Sequence, residues 1–316
     1  LDYKIMQGDS LIDEYYGINF ENNENDLFGM DPELEKITKE LQTKQNEYFN
    51  LKYLKSKVSK RKEVQVLLKK VLQYALDQQK SKLNFKKNTD LIKTVKNIEK
   101  NINELTKTYS IKEFFFWRLL YSNIFEKKNG FDIVIANPPY VFTKYVAWNK
   151  DYKKFLIEKY LNFNEKLSSG RIQTNKINLY VIFLILGLRL INDKGVNCFV
   201  VPNTILRSVI HHNFRHYLLK NSDILEIVDL KPKAFPGVTT SPIIILNNKQ
   251  SLNSNSIKII DTNFSEYKQI TLDKTHNILQ NNLKKNPFYV FNIFSNNEHL
   301  KVIKKIREDK IPLKNI

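Results

Sequence analysis

Four short, nearly uninterrupted apolar runs, separated by helix-forming stretches, constrain this 316-residue chain most. They are Phe131–Ala136, Val196–Val201, Ile224–Asp229 and Pro242–Leu246. An apolar helix, Asn178 to Ile191, precedes the second run and is closed by Asp193-Lys194-Gly195; a helix capped by Asn203 and running to about Leu219 precedes the third. Strands that do not alternate polar with apolar residues are buried on both faces. Interleaved with helices, they predict an α/β fold with a mostly parallel sheet. From about Ser251 the chain turns polar and Asn-rich, with a weaker strand at Ile257–Asp261 and a basic helix near Glu298–Arg307. No internal repeat is present.

Upstream the rhythm differs. Residues 3–9 read as a short buried strand ending in a turn, and an Asn-rich loop follows from Glu21 to Asp26. From Asp31-Pro32 to about Tyr109 the period is helical. Leu34, Ile37, Leu41, Tyr48, Leu51 and Val58 fit one heptad seam with a skipped position, and Leu91, Val95, Ile98, Ile102 and Leu105 fit another. Asn88-Thr89-Asp90 supplies a helix start between them. The pattern predicts two or three long helices folded into an antiparallel hairpin. Residues 31–110 hold 19 Lys or Arg against 10 Asp or Glu, half of the chain's net charge of +18. The solvated face of a coiled coil accounts for that surplus, and so does a surface that follows a DNA backbone.

Composition excludes several classes. Apolar residues make up 42% of the chain and 36 residues are Phe or Tyr, which is globular rather than disordered composition. No stretch approaches the ~18–20 apolar residues of a membrane span. The opening Leu1-Asp2-Tyr3-Lys4 lacks a signal pattern, so a cytoplasmic location is expected. The single cysteine, Cys198, excludes an internal disulfide and a cysteine-based zinc site; it reads as a core thiol.

The residues that carry chemistry are Asn137, Pro138, Pro139 and Tyr140, directly after the strand Phe131–Ala136. In an open α/β sheet, ligands bind in loops at the carboxyl ends of strands. The residue types suit one task. The exocyclic amino nitrogen of adenine is a poor nucleophile because its lone pair is delocalised into the ring. The side-chain oxygen of Asn137 and the carbonyl of Pro138 can each accept one of its N–H bonds, freeing that lone pair to attack a sulfonium methyl group. Paired prolines hold such a loop rigid and donate no competing N–H. Tyr140 can stack on the base, which must first leave the duplex. A proline-stiffened turn with a capping Asn is the plain structural alternative.

Asn137-Pro138-Pro139-Tyr140 after a strand resembles the catalytic motif of the adenine-N6 DNA methyltransferases, and the surrounding sequence resembles the restriction–modification branch, especially fused type IIG enzymes carrying nuclease and methylase on one chain. Phe114 to Phe125 and Gly130 to Val141 are similar to the approach to that motif. Asn178-Leu179-Tyr180 resembles the family's Asp-Leu-Tyr segment, with Asn for Asp, and Lys194-Gly195 through Val201-Pro202-Asn203 resembles the next strand and its end. Leu230 to Ile245 resembles the last motif, where the family sets an aromatic against the flipped adenine. Phe235 is thereby implied as a second stacking residue, where an ordinary packing aromatic is the alternative. Gly8-Asp9-Ser10-Leu11 resembles the motif whose carboxylate accepts the cofactor adenine's amino group, which implies cofactor binding by Asp9; an Asx turn explains Gly8-Asp9 equally well.

The resemblance implies a Rossmann-like sheet of the S-adenosylmethionine-dependent methyltransferases, incomplete at its amino end, with a long helical-hairpin insertion. The implied layout is 1–30 as the first part of the methyltransferase domain and 31–110 as the coiled-coil-like insertion. Residues 111–262 would be the catalytic core, and 263–316 a linker and the start of a target-recognition region. The implied reaction moves a methyl group from S-adenosylmethionine to adenine N6 in double-stranded DNA, with the adenine flipped out. It leaves room for a nuclease domain or subunit outside this chain, and no role for a membrane or a metal. One expected part is missing: a Gly-rich turn after the family's first strand, with an acidic residue after its second. The eight glycines are scattered with no G-x-G among them. Those strands are expected upstream of Gly8-Asp9, so the chain reads as a fragment that by itself binds S-adenosylmethionine weakly or not at all; micromolar binding by calorimetry would overturn this. No acidic pair with an E-x-K signature marks a nuclease. Methylation of RNA or of a protein glutamine amide by the same loop chemistry, and a non-catalytic DNA-binding role, are the alternatives.

Overall fold

The computed structural model describes residues 6, 8–15, 18–19, 32–51, 54–82, 95–96, 99–100, 102–103, 115–141, 150–161, 178–231, 241–249, 256–264, 270–293, 302 and 305. The chain divides into two compact units, Leu1–Phe131 and Asp132–Ile316.

The first unit is built on two helices, α1 (Pro32–Asn50) and α2 (Leu54–Lys82). They form the expected antiparallel hairpin: Lys60 bridges Glu47 (2.6 Å) and Glu63 (2.9 Å), while Lys44 lies 3.3 Å from Glu47 and 3.4 Å from Glu63. The α1 seam is a strict 4-3-4-3 repeat of Leu34, Thr38, Leu41, Gln45 and Tyr48, all buried. Two of its members are polar, so a search for apolar residues alone finds only part of it. Gln45 fits because its amide is fully used: Nε2 donates to the carbonyls of Leu119 and Leu120 (3.2 Å each) and Oε1 accepts from Ser122 Oγ (2.7 Å). On α2 the buried stripe is Val64, Leu67, Leu68, Val71, Leu72, Ala75 and Leu76. Val58, expected on the seam, is 57% exposed, because the stripe on α2 begins only at Val64. Of the second expected seam, Ile102 is buried and Val95 packs on the same core; Leu91, Ile98, Leu105 and the cap Asn88-Thr89-Asp90 lie outside the described residues. Short helices Trp117–Leu120 and Ser122–Lys128 complete the unit. A two-residue pairing, β1 (Glu14–Tyr15) with β2 (Ile18–Asn19), stands where no strand was expected. The strand expected over 3–9 falls largely outside the described residues.

Among the described residues the second unit is a six-stranded mixed sheet with helices, so the α/β class holds. Its strands are β3 (Phe131–Ala136), β4 (Ile191–Pro202), β5 (Ser222–Asp229), β6 (Pro242–Lys249), β7 (Ser256–Phe264) and β8 (Ile270–Leu279), in the order β3-β4-β6-β5-β7-β8. β6 runs antiparallel to both β4 and β5, β5 is parallel to β7, and β7 is antiparallel to β8. The expectation of a mostly parallel sheet is therefore corrected. β4 and β5 do run the same way, joined by a helical crossover, but β6 returns between them and is as apolar as either. A continuous apolar run reports burial on two faces; it carries no information on direction. β8 was not foreseen, because Asp273, Lys274 and His276 make it polar.

One buried row crosses four strands in register: Phe199, Ile245, Ile227 and Ile259. Against β4 lies the helix Leu179–Leu190, drawn close at Gly187. With its amide in the orientation that satisfies both atoms, buried Asn197 donates to the Gly187 carbonyl (3.1 Å) and accepts from Leu188 N–H (3.0 Å). β3 departs from expectation. As the end strand among the described residues it has one neighbour, and Ile133 and Ile135 are 65% and 74% exposed rather than buried. The single helix expected from Asn203 to about Leu219 is broken into Thr204–Arg207, a 3-10 turn Val209–His211 and His212–Asn221. Of the basic helix expected near 298–307, only the helical residues 302 and 305 are described. Among the described residues, no helix is long and apolar enough to cross a membrane.

Candidate active site at the carboxyl edge of the sheet

Register fixes which chain segments share this edge. Pro202 at the end of β4 faces Pro242 at the start of β6, and Asp229 at the end of β5 faces Ile243 and Asp261. Asn192 Nδ2 donates to Asp132 Oδ1 (2.8 Å), joining β4 to β3, and past β3 the Val141 carbonyl accepts from Leu179 N–H (3.1 Å), beside Tyr180, whose hydroxyl lies 3.4 Å from Thr204, two residues beyond the end of β4. The Asn137–Tyr140 loop therefore leaves β3 toward the same edge. The edge is held by backbone bonds: Leu179 N–H donates to the Val141 carbonyl (3.1 Å), Asn203 N–H to Ser241 (2.8 Å) and Leu230 N–H to Pro242 (3.1 Å).

Within the loop Pro138 is buried, Asn137 and Pro139 are exposed, and Tyr140 is half-buried. The Asn137 amide is thus presented outward by a backbone segment whose φ is fixed at two successive positions. The Tyr140 ring stands edge-on to Tyr180, with centroids 6.2 Å apart at 85°. The Tyr140 hydroxyl is buried and has no hydrogen-bond partner among the described residues, and burial pushes its pKa up.

Tyr180, in the first turn of the helix Leu179–Leu190, is the hub of a buried polar cluster. Its hydroxyl lies 2.7 Å from His211 Nε2, accepts from Asn178 Nδ2 (3.2 Å) and is 3.4 Å from Thr204 Oγ1. Asn178 Nδ2 is also 3.3 Å from His211 Nε2. Asn178 occupies the cap position of its helix without a side-chain capping bond, because its amide is turned into this cluster. Burial pushes the Tyr180 phenol up to about 12. Burial first, then the nearby positive charge of Arg215, depresses His211 to about 4, so the imidazole is neutral. Arg215 has no exposed surface; its guanidinium donates to the carbonyls of Tyr289, Ile205, Ser208 and Phe288 at 2.8–2.9 Å.

At the ends of β5 and β7, Lys231 Nζ joins Asp229 Oδ2 (3.0 Å) to Asp261, and Lys231 itself has a left-handed φ of 63°. Asp229 holds that conformation by accepting from Lys231 N–H at Oδ1 (3.3 Å). This fastens one root of the 232–240 segment at the edge. Phe235 falls within that segment, outside the described residues. Asp9 belongs to the first unit, in an Asx turn: Leu11 N–H donates to its Oδ1 (3.0 Å) and Ile12 N–H to its carbonyl (3.1 Å). Cys198 is a half-buried free thiol, raised in pKa by burial.

Of the Asn137–Tyr140 loop, the structure sets Tyr140 against Tyr180, whose hydroxyl gathers Asn178, Thr204 and His211. Sequence reading assigned no role to His211 or Arg215. A signal for them existed: positions 211, 214, 215 and 218 fall at helical spacing in the sequence, and all four residues are buried.

The chain is similar to several known proteins. The model of the Eco57I restriction-modification methylase family matches residues 25–235. A putative type II restriction enzyme and methyltransferase of Methanocaldococcus jannaschii is 24% identical over 146 residues, covering 46% of this chain and 11% of that protein. The type II methyltransferase M.AccI of Acinetobacter calcoaceticus is 28% identical over 121 residues, covering 38% and 21%. This chain thus spans about a tenth to a fifth of the length of these relatives. Among solved structures, the type IIG restriction endonuclease BpuSI is 16% identical with a TM-score of 0.42, covering 67% of this chain and 26% of that one. A modification subunit of a putative type I restriction enzyme from Vibrio vulnificus is 16% identical with a TM-score of 0.38, covering 74% and 55%. With a family model matching well over half of its residues, the chain belongs to the Eco57I restriction-modification methylases.

Proposed function

We propose that this chain is part of a site-specific DNA methyltransferase that methylates adenine at N6 within a cytoplasmic restriction–modification system, with Asn137, Pro138, Pro139 and Tyr140 as its catalytic loop. The observation that carries this reading is an outward-facing amide, Asn137, on a doubly proline-fixed loop at the carboxyl edge, backed by an aromatic ring.

The Asn137 Oδ1 and the Pro138 carbonyl accept the two N–H bonds of the flipped adenine's amino group, and the nitrogen moves toward tetrahedral geometry. Its lone pair forms the new N–C bond as the methyl group's bond to the sulfonium sulfur breaks, that electron pair staying on a now neutral sulfur, and one N–H proton leaves to solvent. Tyr140 and Phe235 stack on the base faces. Pro138 and Pro139 supply no N–H that would compete for the acceptors. S-adenosylmethionine supplies an electrophilic methyl group on sulfonium sulfur when bound. Of this chain's residues, Asp9 fits it as an acceptor: its carboxylate, which takes the Leu11 N–H at Oδ1, would accept from the cofactor's adenine amino group. The double name of the M. jannaschii relative, restriction enzyme and methyltransferase, supports a nuclease elsewhere in the same protein or assembly.

The test is transfer of labelled methyl from S-adenosylmethionine by the whole protein, offered duplex DNA, RNA and a glutamine-containing protein acceptor together. Label is expected as N6-methyladenine in DNA. Asn137→Ala should lower kcat by about 10²–10³-fold or more with DNA affinity nearly unchanged. Label in RNA or protein would move the substrate. No transfer at all would leave a DNA-binding role only.

A further inference from the structure

We infer that His211 is a positioning residue for the Asn137–Tyr140 loop: by fixing the Tyr180 hydroxyl it sets the aromatic platform against which the Tyr140 ring, and hence a stacked target base, is aligned. This rests on the methyl-transfer reading above.

Hydrogen-bond accounting gives the direction of the coupling. The Tyr180 hydroxyl accepts from Asn178 Nδ2 at 3.2 Å, so its own proton is free to be donated. The nearest acceptor is His211 Nε2 at 2.7 Å, against 3.4 Å for Thr204 Oγ1. His211 can accept only while Nε2 carries a lone pair, and burial together with the Arg215 charge keeps the ring neutral. Arg215 is itself immobilised by four backbone carbonyls from Ile205, Ser208, Phe288 and Tyr289, so it cannot swing in to compete for the imidazole. Asn178 Nδ2 also faces Nε2 at 3.3 Å, which a lone pair on that nitrogen satisfies and a second N–H would not, so the tautomer that suits the cluster has the phenol as donor and Nε2 as acceptor.

Tyr140 is the dependent member. Among the described residues its buried hydroxyl has no polar tether, so the edge-on contact with Tyr180 is the ring contact that orients it. A tilt of Tyr180, once its hydroxyl is released, passes directly to Tyr140. A reacting atom misplaced by about 1 Å can cost on the order of 100-fold in rate. His211 itself is buried, and its effect runs through geometry alone.

The experiment uses the whole protein with Tyr180→Phe, which deletes only the hydroxyl, and with His211→Phe, His211→Gln and the Tyr180/His211 double replacement by Phe. Two signals are read: steady-state methyl transfer, and the fluorine NMR line of Tyr140 in 3-fluorotyrosine-labelled protein, assigned by its loss in Tyr140→Phe. Tyr180→Phe and His211→Phe are each expected to lower kcat by roughly 10–100-fold with the KM for DNA within about twofold. Both should shift or broaden the Tyr140 line. The double variant should be no worse than the poorer single one, because both break the same bond. His211→Gln, whose amide oxygen can still accept, should recover part of the rate. An unmoved Tyr140 line overturns the inference whether or not the protein methylates DNA, and a moved line with unchanged kcat overturns it equally. Multiplying single effects would also count against it. If His211→Phe does not fold, Tyr180→Phe decides alone. Wild-type protein that transfers no methyl to adenine refutes the methyltransferase reading separately, and the fluorine line still reports whether the two tyrosines are coupled.

Discussion

His211 is uncharged in the folded chain down to about pH 4, whereas an exposed imidazole takes up its proton near 6.5. Between those values the unfolded chain binds a proton that the folded chain refuses, so folding stability rises with pH across this window and falls as the solution is acidified. The full loss corresponds to ~3 kcal/mol, absent above pH 6.5 and complete near pH 4. Chemical denaturation of wild type and His211→Gln should therefore show the wild type's advantage shrinking by about 2–3 kcal/mol between pH 7 and 4.5. A gap independent of pH would mean that the imidazole is solvated. At this scale the loop residues Asn137 to Tyr140 were legible, because their chemistry depends on residue type and on one adjacent strand. The polar cluster behind them was not. Asn178, Tyr180, Thr204 and His211 converge from three segments up to 33 residues apart, and only the paths of the crossover and the edge bring them within hydrogen-bond reach.

Helix Leu179–Leu190 and strand β4 meet at a single glycine. A Cβ on Gly187 would stand 2.8 Å from two ring atoms of Phe199 and 3.0 Å from the Asn197 amide. Phe199 is 1% exposed and belongs to the in-register row through the sheet, so its ring has nowhere to retreat. Alanine is better than glycine in a helix by ~1 kcal/mol, but overpacking a core costs ~1–3 kcal/mol. Gly187→Ala is therefore expected to lower stability by about 1–2 kcal/mol, read as a lower Tm; a raised Tm would show that the helix can lift off β4. Elements with a strong apolar period, such as β4, β5 and the apolar helix, were legible in the sequence. The errors share a cause. Gln45 and Thr38 occupy seam positions as satisfied polar groups, β6 hides its direction inside an apolar run, and β8 is polar through its middle, Asp273 to Asn277. In each case tertiary partners decided what local pattern could not.

Across the whole chain the charge is strongly positive, +18, and half of it sits on residues 31–110. The ion pairs that Lys44 and Lys60 make with Glu47 and Glu63 cross the hairpin, but such exposed pairs add little stability and do not explain the surplus. Lys62 and Lys70 are exposed and Lys69 half-exposed on α2. If this face follows a DNA backbone, changing these three to Gln should weaken DNA binding by the whole protein. It should also flatten the dependence on log salt concentration by about 0.9 for each phosphate that is no longer neutralised. An unchanged slope would make the surplus a solvated coiled-coil face. The two sources of charge predicted from sequence are separated by that slope.

β3 carries the reactive loop and, in the same six residues, an apolar flank open to water. Ile133 and Ile135, together with a strand edge unpaired among the described residues, form a template on which a second polypeptide can add hydrogen bonds while hiding hydrocarbon. Colloidal behaviour and chemistry are thus tied to one strand. The 316-residue chain is expected to scatter light increasingly as it is concentrated, and Ile135→Lys should suppress that scattering without moving Pro138, whose burial lies beyond the strand's end.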